Sequence, residues 1–327
     1  MDTKAVSANS VGSYFHVNGS QLSQHYKNHL SGYNDWDQKQ HAEDWILFPG
    51  NIDTRLCLDE IALSDGELYT VLTNAKAKCQ KGSLVAMVKG VKSSNVCEII
   101  NKIPLEERIK VQEISVDMAN NMEKIATTCF PSASVVTDRF HVAKLISEAV
   151  QEIRIKYRWE AIKQENKAVK RAKKLGKKYK APTFKNGDTK KQLLARSRYL
   201  LFKPLNKWTD SQKIRAEILF KQYPDIKKAY ELSIMFRNIY ETAKTKQMAN
   251  EKFLKWAEKV KKYNFDSFIT ASESIFSHKE AILNFFNNRT TNPLAESFNS
   301  KIKAFRSMFR GVRDIDFFLY RVSLIFA

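Results

Sequence analysis

The 327-residue sequence predicts an α/β fold: a mixed five-stranded sheet with flanking helices, joined to a large helical block. Three observations carry that expectation. Three β-like segments, RLCLDEIALS, ELYTVLTNAKA and SLVAMVKG, follow in close succession, separated by turn signals at Asp65-Gly66 and Lys81-Gly82. Helical and strand-like text then alternates between 93 and 138, as in a parallel βαβ arrangement. From Phe140 onward apolar residues recur every three to four positions, and no convincing strand follows.

Taken in order, residues 1–50 are polar and aromatic with little periodicity, and a short helix near 20–30 is the one element expected there. The three β-like segments predict an antiparallel meander. SSNVCEIINKIP has a Ser cap, helical spacing of Val96, Ile99, Ile100 and Ile103, and a Pro stop, which predicts a helix crossing the sheet. RIKVQEISVD supplies a fourth strand, ANNMEKIATTCF a second helix and SASVVTD a short fifth strand, giving β-β-β-α-β-α-β. A helix is expected from Phe140 to about Lys180, although Gly176, Pro182 and Gly187 in KRAKKLGKKYKAPTFKNGDTKK argue for a flexible basic arm. Further helices are expected over 189–203, 209–222, 224–242, 245–263 and 271–286, with Pro204 and Pro224 marking breaks.

Charge is unevenly spread. Residues 1–153 hold 15 Lys/Arg against 19 Asp/Glu, whereas 154–327 hold 40 against 16, so the whole excess of +20 belongs to the second half. A basic half joined to a slightly acidic one suits a polyanionic ligand held over a carboxylate site, with nucleic acid as the leading partner. Cys57, Cys79, Cys97 and Cys129 show neither C-x-x-C spacing nor a nearby His cluster, so buried reduced thiols are expected rather than zinc or disulfides. No apolar stretch approaches the roughly 20 residues that span a bilayer, and the N-terminal text lacks a signal-peptide core, so a cytoplasmic protein with no membrane partner is expected.

Three acids stand out: Asp59 in the apolar run RLCLD, Asp117 closing VQEISVD, and Glu296 in NPLAESFNSKIKAF. Carboxylates in segments otherwise fit for burial cost free energy unless a partner, often a metal ion, compensates them. Asp59 and Glu60 fall on opposite strand faces, and if the first and fourth strands pair, Asp59 and Asp117 become neighbours. Such hard oxygen ligands suit Mg²⁺ or Mn²⁺, and a pair of ions serves both sides of a phosphodiester displacement. The plainer alternatives are a helix cap for Asp117 and an ordinary solvated position for Glu296, with Asn292 as N-cap and Pro293 at the first helical position.

The segments LDEIALSDGELYTVLTN, ISVDMANNMEKIATTCFPSASVVTDRFHVAKLISEAVQEIR and NPLAESFNSKIKAFRSMFRGVRDIDFFLYRVSLI together resemble DDE transposases of bacterial insertion sequences, in the branch called ISL-three. The resemblance implies a ribonuclease-H-like catalytic core with a catalytic, metal-binding triad at Asp59, Asp117 and Glu296 and two Mg²⁺ (or Mn²⁺) ions. It implies supporting roles for Asp138 and His141 in TDRFH. It also implies double-stranded DNA, as transposon ends and target, for a partner, and a homo-oligomer on that DNA.

The implied organisation is a segment 1–50, a first core part 51–154, a basic all-α insertion 155–290, and C-terminal core helices 291–327. The zinc ribbon and helix-turn-helix usual in this branch are not visible in the first 50 residues, so a separate DNA-binding subunit is expected to read the transposon ends. DNA-contacting cations are expected at Lys170, Arg171, Lys173, Lys174, Lys177 and Lys178, with Tyr157, Trp159, Tyr179 and Phe184 as stacking surfaces. A second group is expected at Lys301, Lys303, Arg306, Arg310 and Arg313. Two alternatives remain: a metal-dependent nuclease of the same fold, and a transposase-derived non-catalytic DNA-binding protein.

Overall fold

The computed structural model describes residues 1–63, 66–289, 293–309 and 314–327. Asp65, Asn292, Arg310 and Arg313, each named above, lie outside the described residues. Six strands form one mixed sheet: β1 (Trp45–Leu47), β2 (Arg55–Ala62), β3 (Leu68–Asn74), β4 (Leu84–Lys89), β5 (Glu113–Val116) and β6 (Ser134–Thr137), in spatial order β1-β4-β3-β2-β5-β6. The first four positions pair antiparallel, whereas β2, β5 and β6 run parallel. The expected β-β-β-α-β-α-β order is therefore present, with one strand more than expected. That strand, β1, is three residues long with Ile46 opposite Met87, too short to show alternation in sequence.

Helices in chain order are α1 (Ala8–Phe15), α2 (Gly19–His25), α3 (Ser93–Ile100), α4 (Leu105–Arg108), α5 (Asn120–Cys129), α6 (Arg139–Lys174) and α7 (Lys190–Arg196). They continue as α8 (Asp210–Gln222), α9 (Pro224–Thr242), α10 (Lys246–Tyr263), α11 (Asp266–Ser277), α12 (Lys279–Asn288), α13 (Pro293–Ser307) and α14 (Ile315–Phe326). The chain divides into two compact units, one made of 1–139 with 289–327 and the other of 140–288.

In the first unit, α3 and α5 pack against the sheet, and α13 and α14 share a buried cluster with it. This explains why Leu56, Cys57 and Leu58 are buried in succession: a strand covered on both faces need not alternate. Phe298, Ile302 and Phe305 of α13 recur at helical spacing and join Ile61, Tyr69, Val71 and Met87 of the sheet in that cluster. Full burial of each such side chain contributes about 1.5–3 kcal/mol, enough to fix which face of α13 meets β2 and β3. Tyr26 and Tyr33 pack against Phe317 and Tyr320 of α14, so these aromatic residues of the N-terminal segment belong to the core, whereas Tyr14 and Phe15 are exposed. The Ser cap expected for α3 is not formed; its N-cap is Lys92, without a side-chain bond. All four cysteines are buried, and none forms a disulfide.

The second unit is built of helices and the loops that join them. Its first helix, α6, is continuous to Lys174, so the charge shift at Arg154 lies inside a helix rather than at a boundary, and the unit begins at Phe140. The segment expected as an arm is thus helical up to Lys174. Gly176, at φ 63°, closes α6 in the left-handed conformation that glycine adopts without strain. The far end of the segment is folded around Asp188, which is fully buried and paired with Arg215 and Arg196. The single helix expected at 271–286 is two, α11 and α12, because the backbone leaves helical geometry at His278 with no Gly or Pro to announce it. α7 likewise ends at Arg196, short of 203. Among the described residues no helix is long and apolar enough to cross a membrane.

Candidate active site

Parallel pairing sets the site. Leu58 of β2 lies opposite Val116 of β5, and Val116 lies opposite Thr137 of β6. The next residue on each chain is Asp59, Asp117 and Asp138, so three carboxylate residues stand in one row across adjacent parallel strands, Asp59 within β2 and Asp117 and Asp138 just past the ends of β5 and β6. Neighbouring strands lie about 4.8 Å apart, and the crevice beyond strand C-termini is where open α/β sheets bind ligands.

Each acid has distinct surroundings. Asp59 is half-buried; its Oδ1 accepts from the Glu60 amide at 2.8 Å, and its Oδ2 accepts from Asn299 Nδ2 at 2.8 Å. The same Asn299 amide donates to the Glu60 carbonyl at 3.3 Å. Glu60 itself is exposed, consistent with opposite faces for the two acids. Asp117 is half-buried, its Oδ1 accepts from the Met118 amide, and its carbonyl accepts from the Ala119 amide at 2.8 Å. Asp138 is only 8% exposed, and its amide donates to the Val116 carbonyl at 2.9 Å. Burial pushes the nearby Cys57 thiol up to about 12, with the charges of Asp138 and Asp59 adding to the effect.

Glu296 lies exposed in the first turn of α13, where a carboxylate is favoured by the helix dipole. Asn299, one helical turn on, bonds Asp59. Among the described residues no group of three or more His, Cys, Asp or Glu side chains is arranged to hold a metal ion. The geometry thus aligns Asp59, Asp117 and Asp138, and brings Asn299 onto Asp59. Sequence reasoning missed Asn299; the available signal was its i+3 spacing from Glu296, which places both on one helix face.

Residues 56–322 match the transposase family DDE_Tnp_ISL3. The chain belongs to the ISL3 family of DDE transposases. It is 22% identical over 265 residues to the transposase for insertion sequence element IS1557 of Mycobacterium tuberculosis strain CDC 1551 / Oshkosh, and equally to that of strain ATCC 25618 / H37Rv. Each match covers 80% of this chain and 57% of the relative, so the chain spans little more than half the length of the curated relatives it matches. No solved structure matches it.

In this ISL3-family chain the expected DNA-contacting cations fall into two groups. Lys170, Arg171, Lys173 and Lys174 at the end of α6, with Lys177 and Lys178 beyond it, are all exposed. On α13, Lys303 is exposed, but Lys301 Nζ donates to the Cys79 carbonyl at 2.9 Å. Arg306 does not fit the expectation: it is 4% exposed, bonds Glu67 through Nε at 3.2 Å and Nη2 at 2.8 Å, and lies over the Phe318 ring. Its charge is already neutralised inside the core. Tyr157, expected as a stacking surface, donates its hydroxyl to Asp225 at 2.7 Å and packs on Tyr223. His141 lies in the first turn of α6, edge-on to Phe140.

Proposed function

We propose that this chain is the catalytic core of an insertion-sequence transposase that cuts transposon ends and joins the freed 3′ end to target DNA. The observation that carries the reading is the level row of carboxylate residues formed by Asp59 within β2 and by Asp117 and Asp138 just past β5 and β6, with α13 packed on Asp59 through Asn299. Three antiparallel strands followed by two parallel ones support a ribonuclease-H-like core, to which β1 adds an edge strand.

In this account Asp59, Asp117 and Glu296 hold divalent cations. The donors are all hard carboxylate oxygens, a set that suits Mg²⁺ or Mn²⁺ rather than a thiolate- or imidazole-seeking metal. When bound, the cations supply electrostatic stabilisation of the phosphate undergoing displacement. The chain's own residues do the positioning. Asn299 restrains the Asp59 carboxylate, the β2–β5 register sets the separation of Asp59 from Asp117, and Asp138 supports the row from β6. The exposed cations at the end of α6 neutralise DNA phosphates, and no covalent enzyme intermediate is needed.

The test is an assay with the element's own terminal sequences on labelled DNA plus an unlabelled target plasmid. Labelled ends covalently joined to target are the expected product. Cut ends that never join would reassign the chain as a nuclease, and binding with neither product would make it a non-catalytic DNA-binding protein.

A further inference from the structure

We infer that the second unit carries a groove for unpaired DNA, formed between the first half of α6 and the segment running from α7 to Phe202. The inference rests on the DNA-processing function proposed above, and it concerns residues distinct from the acid row and from the basic end of α6.

The groove encloses about 1000 Å³. Its rim carries Phe140, Trp159 and Tyr199, each more than half exposed, and its lining includes Lys144, Arg154, Arg158 and Arg198 against the single acid Glu148. Arg154 is the built element. It is 4% exposed, its Nε donates to Gln151 Oε1 at 2.6 Å, and its Nη1 donates to the Leu194 carbonyl at 2.8 Å. Gln151 in turn donates to the Arg198 carbonyl at 3.2 Å, tying α6 to the opposite wall.

All of these acceptors are neutral. Among the described residues no ion pair reaches Arg154, Arg158 or Arg198. A buried cation without a counter-charge is costly, and here burial, with the like charges of Arg158 and Arg198 beside it, pushes the Arg154 guanidinium down to about 10. An anion entering the groove relieves that repulsion, and guanidinium groups match phosphate oxygens in geometry.

The aromatic rim decides which polyanion. Arg198 lies 5.5 Å from the centre of the Tyr199 ring, and Trp159 follows Arg158 directly, so cations and rings alternate along the rim. Such alternation suits single strands, whose bases expose faces for stacking while the backbone tracks the positive charge. In a duplex the base faces are hidden against one another, and the rings would have nothing to stack on.

The test uses the full chain without added metal and follows fluorescence anisotropy of a labelled twelve-nucleotide oligothymidine and of a twelve-base-pair duplex. Trp159→Ala with Tyr199→Ala is expected to weaken oligothymidine binding about tenfold or more while changing duplex binding less than about twofold. Arg158→Gln with Arg198→Gln is expected to flatten the salt dependence of oligothymidine binding. Circular dichroism melts confirm that the variants fold. Unchanged oligothymidine binding, or equal losses for both DNAs in folded variants, would overturn the groove. That result leaves the end-joining assay unaffected, whereas failure of end joining with strand-selective binding intact overturns the transposase account and supports the groove.

Discussion

Asn299 Nδ2 donates to Asp59 Oδ2 at 2.8 Å, so an amide on the penultimate helix restrains a carboxylate on the central strand β2. If Asp59 holds a cation as proposed, its restrained carboxylate needs no reorganisation when the cation and DNA arrive, and loss of such supporting bonds typically costs 10–100-fold. Asn299→Ala is therefore expected to lower kcat for end cleavage about 10–100-fold with little change in KM for DNA. Asn299→Asp adds a second carboxyl beside Asp59, so the acid limb of the pH profile should move to higher pH. Unchanged kcat and pH profile in both variants would remove Asn299 from the account.

The Arg306–Glu67 pair is structural. Removing one partner of a buried pair leaves the other charge uncompensated and costs about 3–5 kcal/mol, whereas replacing both by apolar residues is often neutral. Urea unfolding of Arg306→Met and Glu67→Leu should show each single variant strongly destabilised and the double variant near wild type. Equal stability of wild type and Arg306→Met would contradict the role.

Asp188 carries a pH dependence. Burial alone would raise its carboxyl, but the bonds and charges of Arg215 and Arg196 outweigh burial and hold it below the ordinary value of 3.8. A depressed folded pKa contributes stability that is present above the unfolded value and is lost as pH falls through the folded one. The wild-type Tm should therefore fall steeply below about pH 4. Asp188→Asn should be less stable at pH 7 and lose part of that acid slope; parallel Tm profiles would count against the pairing.

The basic end of α6 predicts a salt effect. Replacing Lys170, Arg171, Lys173, Lys174, Lys177 and Lys178 with Gln should weaken duplex binding and reduce the slope of log K against log salt by about 0.9 for each DNA phosphate no longer neutralised. An unchanged slope would show that these exposed cations face solvent in the complex as well.

Legibility followed the physics of each signal. Five strands, their order and the pairing of the strands bearing Asp59 and Asp117 were readable because long apolar runs and turn residues mark them. β1 was not, since three residues hold no period, and the break at His278 was not, since apolar spacing continues across it. Arg306 looked like a phosphate ligand because charge is local in sequence, while its partner Glu67 lies 239 residues away. Asn299 was overlooked for the same reason: its i+3 spacing from Glu296 was visible, but its bond to Asp59 is tertiary.

The most direct test of the central claim is strand cleavage at labelled transposon ends by wild type and by Asp59→Asn, Asp117→Asn, Glu296→Gln and Asp138→Asn, each verified to fold. The account predicts that the first three variants lose cleavage and that Asp138→Asn retains part of it. Cleavage surviving in Glu296→Gln but lost in Asp138→Asn would contradict it and move the third acid from α13 to the end of β6.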